Sequence, residues 1–193
     1  MCQQQVKKID RRTQYTRKII KETFLNELKR KKFGKITVTA ICQLCEINRG
    51  TFYLHYFDMD DVLDDVLSDA LADTSAVLDH VLCPNKISCT YPFCEKMQHN
   101  QAFRPLFFDE ITAARLISKL ADLGMEDFVT QLMQKSLLTF EQAEAIFHFQ
   151  INGCLTINQM MLKNHCTDWK KIQNTIDTFI RAGLNSFLDV GRE

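Results

Sequence analysis

Apolar residues recur at helical spacing along nearly the whole chain. Between residues 18 and 31, Ile20, Phe24 and Leu28 stand at i, i+4 and i+8 among basic residues, the spacing of a helix with one buried face. Phe33-Gly34 breaks that pattern. Val38, Ile41, Cys42 and Cys45 then follow at i, i+3, i+4 and i+7, which predicts a second helix with all four on one buried face. Glu46-Ile47-Asn48 reads as a tight turn, and Asn48 is placed to cap a third helix, residues 49 to 57, by accepting from a free backbone N–H. This third helix is too short to be stable alone. It opens on Arg49, Gly50 and Thr51, residue types that a reading helix presents to base edges and phosphates in a DNA major groove.

Further helices are predicted beyond this pair. A fourth starts at Asp58 or Asp60 and runs to about residue 82, with Val62, Val66, Leu67, Ala70 and Leu71 on its apolar side and a break at Pro84. A short helix over residues 93 to 100 and a segment over 102 to 108 come next. Asp109 or Thr112 then starts a helix toward residue 123, Gly124 ends it, and another covers 126 to 137. Thr139-x-x-Gln142 has the form of a capping box and opens a long helix, residues 140 to about 163. The last helix spans about 168 to 190. Both long helices have wide apolar faces: Ile146, Phe149, Ile151, Leu155, Ile157, Met160 and Met161 on one, Ile172, Ile176, Phe179, Ile180, Leu184 and Leu188 on the other. Strand-like alternation is absent, so the predicted fold class is all-α: an N-terminal three-helix helix-turn-helix domain, residues 1–57, and a larger helical C-terminal domain, residues 58–193, with helix four connecting them.

Charge sharpens this division. The chain is formally neutral, yet residues 1 to 57 hold 13 Lys/Arg against 4 Asp/Glu, net +9, and residues 58 to 193 hold 11 against 20, net −9. A basic end on a neutral chain points to a polyanion partner, and phosphate neutralisation supplies most non-specific DNA affinity. With 46% hydrophobic residues among 193, the chain has ample material for a core. No run of about 18 apolar residues exists, so no membrane partner is expected. The opening MCQQQVKKIDRR lacks an apolar run after its basic residues and does not read as a signal peptide; the expected location is the cytoplasm.

The run IleAsnArgGlyThrPheTyr from Ile47 to Tyr53, with Thr37-Val38 and Ile41 before it and Tyr56-Phe57 after it, resembles the N-terminal domain of the TetR family of bacterial transcriptional regulators. The match covers roughly residues 11 to 70, and residues 91 to 108 (YPFCEKMQHNQAFRPLFF) look like a C-terminal region of some TetR-like proteins. The resemblance implies base contacts from Arg49, Gly50 and Thr51 and phosphate contacts from Thr37, Tyr53 and His55, with Asn48 in the same DNA-binding set. It further implies a homodimer through the last two long helices on double-stranded DNA with a pseudo-palindromic operator, and repression released by a small-molecule effector in the C-terminal domain. The chain departs from the family twice. Glu46 stands where the turn often has Gly, and a Glu held at positive φ costs about 1 kcal/mol. Asp60 stands where the fourth helix often has a phosphate-binding Lys.

Other chemistry is thinner. Eight cysteines, at 2, 42, 45, 83, 89, 94, 154 and 166, are many for a reducing compartment. Cys42 and Cys45 read as small core hydrophobes. Cys83, Cys89 and Cys94, with His80 and His99, leave open an alternative redox- or metal-responsive regulator, although their spacing is irregular for a metal site. A second alternative, resting on Glu46 and Asp60, is a protein-interaction module that has lost DNA binding. Phe103, Phe107, Phe128, Met133, Phe147 and His148 are the candidate effector-binding residues, since an effector pocket would be apolar with few polar groups. Phe108 and Phe140 crowd the same region, and Gln150 and Asn152 add polar groups on an apolar helix. The Asp run over residues 58 to 65 lacks the Gly and spacing of a calcium loop and reads as a solvated helix N-terminus. Neither phosphate loops nor nucleophile motifs occur, so no catalytic residue, metal or cofactor is expected, and an enzyme is not.

Overall fold

The computed structural model describes residues 11–72, 101–164 and 166–188. The expected helix over 93–100, the end of helix four, Pro84, Cys83, Cys89, Cys94, His80, His99, most of the second family-like segment and the end of the last helix lie outside the described residues. The described residues are helical throughout, with no strand among them. They comprise α1 (Arg11–Leu28), α2 (Val38–Leu44), α3 (Arg49–Tyr53), α4 (Met59–Leu71), α5 (Glu110–Lys135), α6 (Phe140–Lys163) and α7 (Trp169–Leu188), with single 3-10 turns at Phe33–Lys35 and Arg104–Phe107. The chain divides into two compact units, Met1–Ala70 and Leu71–Glu193.

In the first unit α1 buries Ile20, Phe24, Leu25 and Leu28, and α4 buries Met59, Val62, Leu63, Val66, Leu67 and Ala70. Ile41 and Cys42 of α2 and Phe52 of α3 complete this core. Val38 and Cys45, expected on the same buried face, are only half-buried; they stand at the two ends of α2, which is barely two turns long. Asp58 Oδ1 accepts from Asp61 N–H at 3.0 Å while Asp61 Oδ2 accepts from Phe57 N–H at 2.8 Å, a reciprocal cap that starts α4 at Met59.

The Asp run is not wholly a solvated helix start. Asp65, half-buried, receives the Tyr56 hydroxyl at 2.6 Å, Arg17 Nη2 at 3.0 Å and Lys21 Nζ at 3.2 Å, and Lys21 also pairs with Asp69. The Arg17 guanidinium lies over the Tyr56 ring, 5.2 Å from its centroid. Burial, then the hydrogen bond to Asp65, pushes the Tyr56 phenol up; Asp65 is opposed by its own burial, yet the Tyr56 and Arg17 hydrogen bonds and the Lys21 charge hold its carboxyl below the ordinary range. Six Asp residues between 58 and 70 also offset the +9 of residues 1 to 57, so the first unit carries net +3.

In the second unit, Asp109 Oδ1 caps α5 by accepting from Ile111 and Thr112 N–H at 3.0 and 3.1 Å. The helix does not stop at Gly124; it runs unbroken to Lys135. Gly124 falls in register on the buried row Thr112, Leu116, Leu120, Gly124, Phe128, Leu132, so packing of that row outweighs the roughly 1 kcal/mol that glycine costs in a helix interior. The Thr139–Gln142 capping box forms in both directions at the start of α6. α6 packs on α5, with the Phe128 and Phe147 rings 5.3 Å apart, and Gln159 Nε2 donates to the Phe107 carbonyl at 2.7 Å, tying the 3-10 turn to α6. α7 buries Trp169, Asp177 and Leu184; of its expected apolar row Leu184 is buried, Ile172, Ile176, Ile180 and Leu188 are half-buried, and Phe179 is exposed.

Candidate nucleic-acid interface

Thr37 starts the site. Its Oγ1 accepts from Ala40 N–H at 3.2 Å, which caps α2 while leaving Thr37 on the surface. α2 ends in a Schellman motif: Ile47 N–H donates to the Cys42 carbonyl at 3.0 Å and Glu46 N–H to the Gln43 carbonyl at 3.3 Å. The residue between these bonds must be left-handed, and Glu46 is, at φ 53°. It is the single non-glycine residue of positive φ among those described. That backbone sends the chain from α2 into α3 within four residues.

Asn48 Oδ1 then accepts from Thr51 N–H at 2.7 Å and from Thr51 Oγ1 at 3.0 Å. The two residues are thereby joined, with the Asn48 oxygen committed to the cap. α3 has five helical residues, fewer than expected, and Leu54 continues its αR backbone as the C-cap. A helix this short persists only through tertiary packing. Phe52, fully buried, supplies it, with the Tyr53 and Tyr56 rings at 5.6 and 5.8 Å.

Burial of Phe52 and Tyr56 turns Arg49, Gly50, Tyr53 and Leu54 outward. Arg49 Nη2 donates to the Tyr53 hydroxyl at 3.0 Å, and its guanidinium sits 5.8 Å from the Tyr53 ring centroid. At Gly50 a Cβ would lie 3.2 Å from Asn48 Oδ1, so any side chain there presses on the cap. Thr51 and His55 are half-buried beside this face. Lys29, Arg30, Lys32 and Lys35 are exposed in the segment joining α1 to α2. Asp60, at the start of α4, is half-buried. The arrangement can offer a guanidinium, a phenol and hydroxyl groups to phosphate oxygens and base edges.

The reading of residue types missed three exposed apolar side chains in this unit, Leu44, Leu54 and Phe57. Leu54 could have been found by phase, since it falls four residues after Gly50 on the polar row and not on the Phe52–Tyr56 row. Asp65 and Arg17 were missed because their partners are distant in sequence.

Of the effector candidates, Phe107, Phe128 and Phe147 are buried and Phe103 half-buried. Met133 and His148 point outward, although the His148 ring rests edge-on against Phe147 at 5.6 Å. Cys42 and Cys45 do not form a reactive pair: burial pushes both thiols up, away from thiolate, and Cys45 Sγ leans on the Ile19 carbonyl at 3.8 Å. Among the described residues no group of three His, Cys, Asp or Glu is placed to hold a metal ion, and no helix is long and apolar enough to cross a membrane.

No protein-family model matches the chain, and no curated protein matches it. Among solved structures, it is similar to the TetR family repressor AlkX from Dietzia sp. strain DQ12-45-1b, implicated in biodegradation of n-alkanes, with TM-score 0.48 and 11% identity over 89% of this chain and 96% of that one. It is also similar to the dihydroxyacetone kinase operon activator DhaS, with TM-score 0.43 and 16% identity over 90% of this chain and 98% of that one. Both similarities are remote.

Proposed function

We propose that the protein is a DNA-binding transcriptional regulator that reads duplex DNA with α3. The observation that carries this reading is the outward face of α3. Two caps and a Schellman turn hold a five-residue helix whose buried side is one Phe, leaving Arg49, Gly50 and Tyr53 on the surface. The exposed Arg49–Tyr53 pair can offer a guanidinium and a phenol to base edges and phosphates. Exposed Lys29, Arg30, Lys32 and Lys35 supply charge for phosphates.

One short helix makes few base contacts, so the reading includes a homodimer on a pseudo-palindromic site. Its support is apolar surface on α6 and α7. Phe149 is 71% exposed and Phe179 65%, and Met160 and Phe187 extend the same rows. Gly153 and Gly183 lie on those rows with open space where a Cβ would go, which suits close approach of a second helix. The finer reading is a repressor released by a small apolar effector held in the second unit around Phe107, Phe128 and Phe147.

The test is selection of bound duplexes from a random pool with the full chain. A two-fold related motif is expected, with a steep salt dependence of binding. Arg49→Ala should lose on the order of tenfold discrimination at one base pair of each half-site. Failure of any motif to enrich at physiological salt refutes the reading.

A further inference from the structure

Leu54 is 81% exposed and stands beside Arg49, Gly50 and Tyr53 on the outward face of α3. Its place on α3 gives the exposure a use. Residues four apart stack along one helix row. Arg49 and Tyr53 form one such row and are engaged with each other at 3.0 Å. Gly50 and Leu54 form the neighbouring row. Gly50 carries no side chain, and the Asn48 oxygen that a Cβ would meet at 3.2 Å keeps the position small. The row is therefore a shallow step: bare backbone at Gly50, an isobutyl group one turn on, and the Tyr53 ring beside it.

An apolar step beside two hydrogen-bonding side chains fits one group in a major groove. Thymine alone presents a methyl there, next to acceptors and donors that Arg and Tyr can engage. Exposed Lys29, Arg30, Lys32 and Lys35, in a unit of net charge +3, favour a polyanion over an apolar protein partner for this face. Resting on the proposed function, we infer that Leu54 is a specificity-determining residue that takes the C5-methyl of a thymine against the Gly50–Leu54 row, so that each half-site has one required T.

The experiment uses the full chain and the duplex obtained by selection. Each thymine of a half-site is replaced in turn by deoxyuridine, which removes the methyl and leaves every hydrogen-bonding group in place. For the wild type, one position should weaken binding about fourfold, the worth of one buried methyl. Leu54→Ala should bind the T and U duplexes equally at that position, and Leu54→Met should restore the difference. The Leu54 side chain is exposed, so these variants should keep the wild-type melting curve. If every deoxyuridine duplex binds the wild type as well as its parent, or if the loss persists in Leu54→Ala, the inference is wrong while the DNA-reading function stands. If no duplex is selected at all, both are refuted.

Discussion

Replacing Asp65 by Ala should loosen the first unit, and the size can be worked out from its three partners. The Tyr56 side chain is 4% exposed, and its hydroxyl donates to Asp65 at 2.6 Å. Removing the acceptor strands a buried donor, at about 1–3 kcal/mol. The Arg17 pair has its cation 44% exposed, so solvent screening limits it to well under about 1 kcal/mol. Lys21 retains Asp69 and adds little. The expected loss is about 2–3 kcal/mol, dominated by the orphaned phenol. Tyr56→Phe should cost only about 1 kcal/mol, because it removes the donor and leaves Asp65 its two cations. In the Tyr56→Phe background, Asp65→Ala should therefore cost less than in the wild type, since no donor is left to strand. Hydrogen exchange on the full chain, followed in peptides from α1 and α4, reads the opening free energy of this unit, and peptides from α6 serve as an internal reference. Equal costs of Asp65→Ala in the two backgrounds would falsify the orphaned-donor account, as would unchanged protection of α1 and α4.

The same network sets an acid limit: because Asp65 titrates lower folded than unfolded, its contribution is complete above the unfolded value of about 3.9 and drains as pH falls through the folded one, so protection of α1 and α4 should drop in that acid window and Asp65→Asn should flatten the drop. Glu46→Gly should raise the melting temperature, since relief of a left-handed glutamate, about 1–2 kcal/mol, exceeds the unfolded-chain entropy that glycine adds, about 0.4–1 kcal/mol; a lower melting temperature counts against the Schellman turn. Phe149→Glu with Phe179→Glu should convert the chain to a single-subunit species in sedimentation equilibrium without loss of helix, and a wild type already monomeric at micromolar concentration removes the paired-subunit reading.

Local periodicity carried the all-α class and much of the candidate site, because both depend on signals within a few residues of one another. Asn48 was legible as a cap, and the Thr139–Gln142 box formed as its spacing implies, since a cap is satisfied by its own next turn; the Thr37 cap emerges only in the structure. Glu46 was legible as a misfit for the same reason: two hydrogen bonds on either side of one residue dictate its φ, whatever residue stands there. Non-local packing decided the rest. Gly124 looks like a helix end to any local rule, and only the row of large side chains on the same face of α5 carries the helix through it. Asp65 looks like one more acid in a solvated run until Arg17 and Lys21, more than forty residues earlier, are brought against it by the packing of α1 on α4.

The last helix is the most instructive case. Ile172, Ile176, Phe179, Ile180, Leu184 and Leu188 are the apolar row that periodicity picks out; α7 buries Leu184, leaves Ile172, Ile176, Ile180 and Leu188 half-buried, and leaves Phe179 65% exposed. Among the described residues, the rows on α6 and α7, each interrupted by a glycine with empty space at its missing Cβ, leave Phe149, Met160, Phe179 and Phe187 exposed. In the proposed homodimer a second copy would cover these side chains, and the Phe149→Glu, Phe179→Glu variant tests that reading.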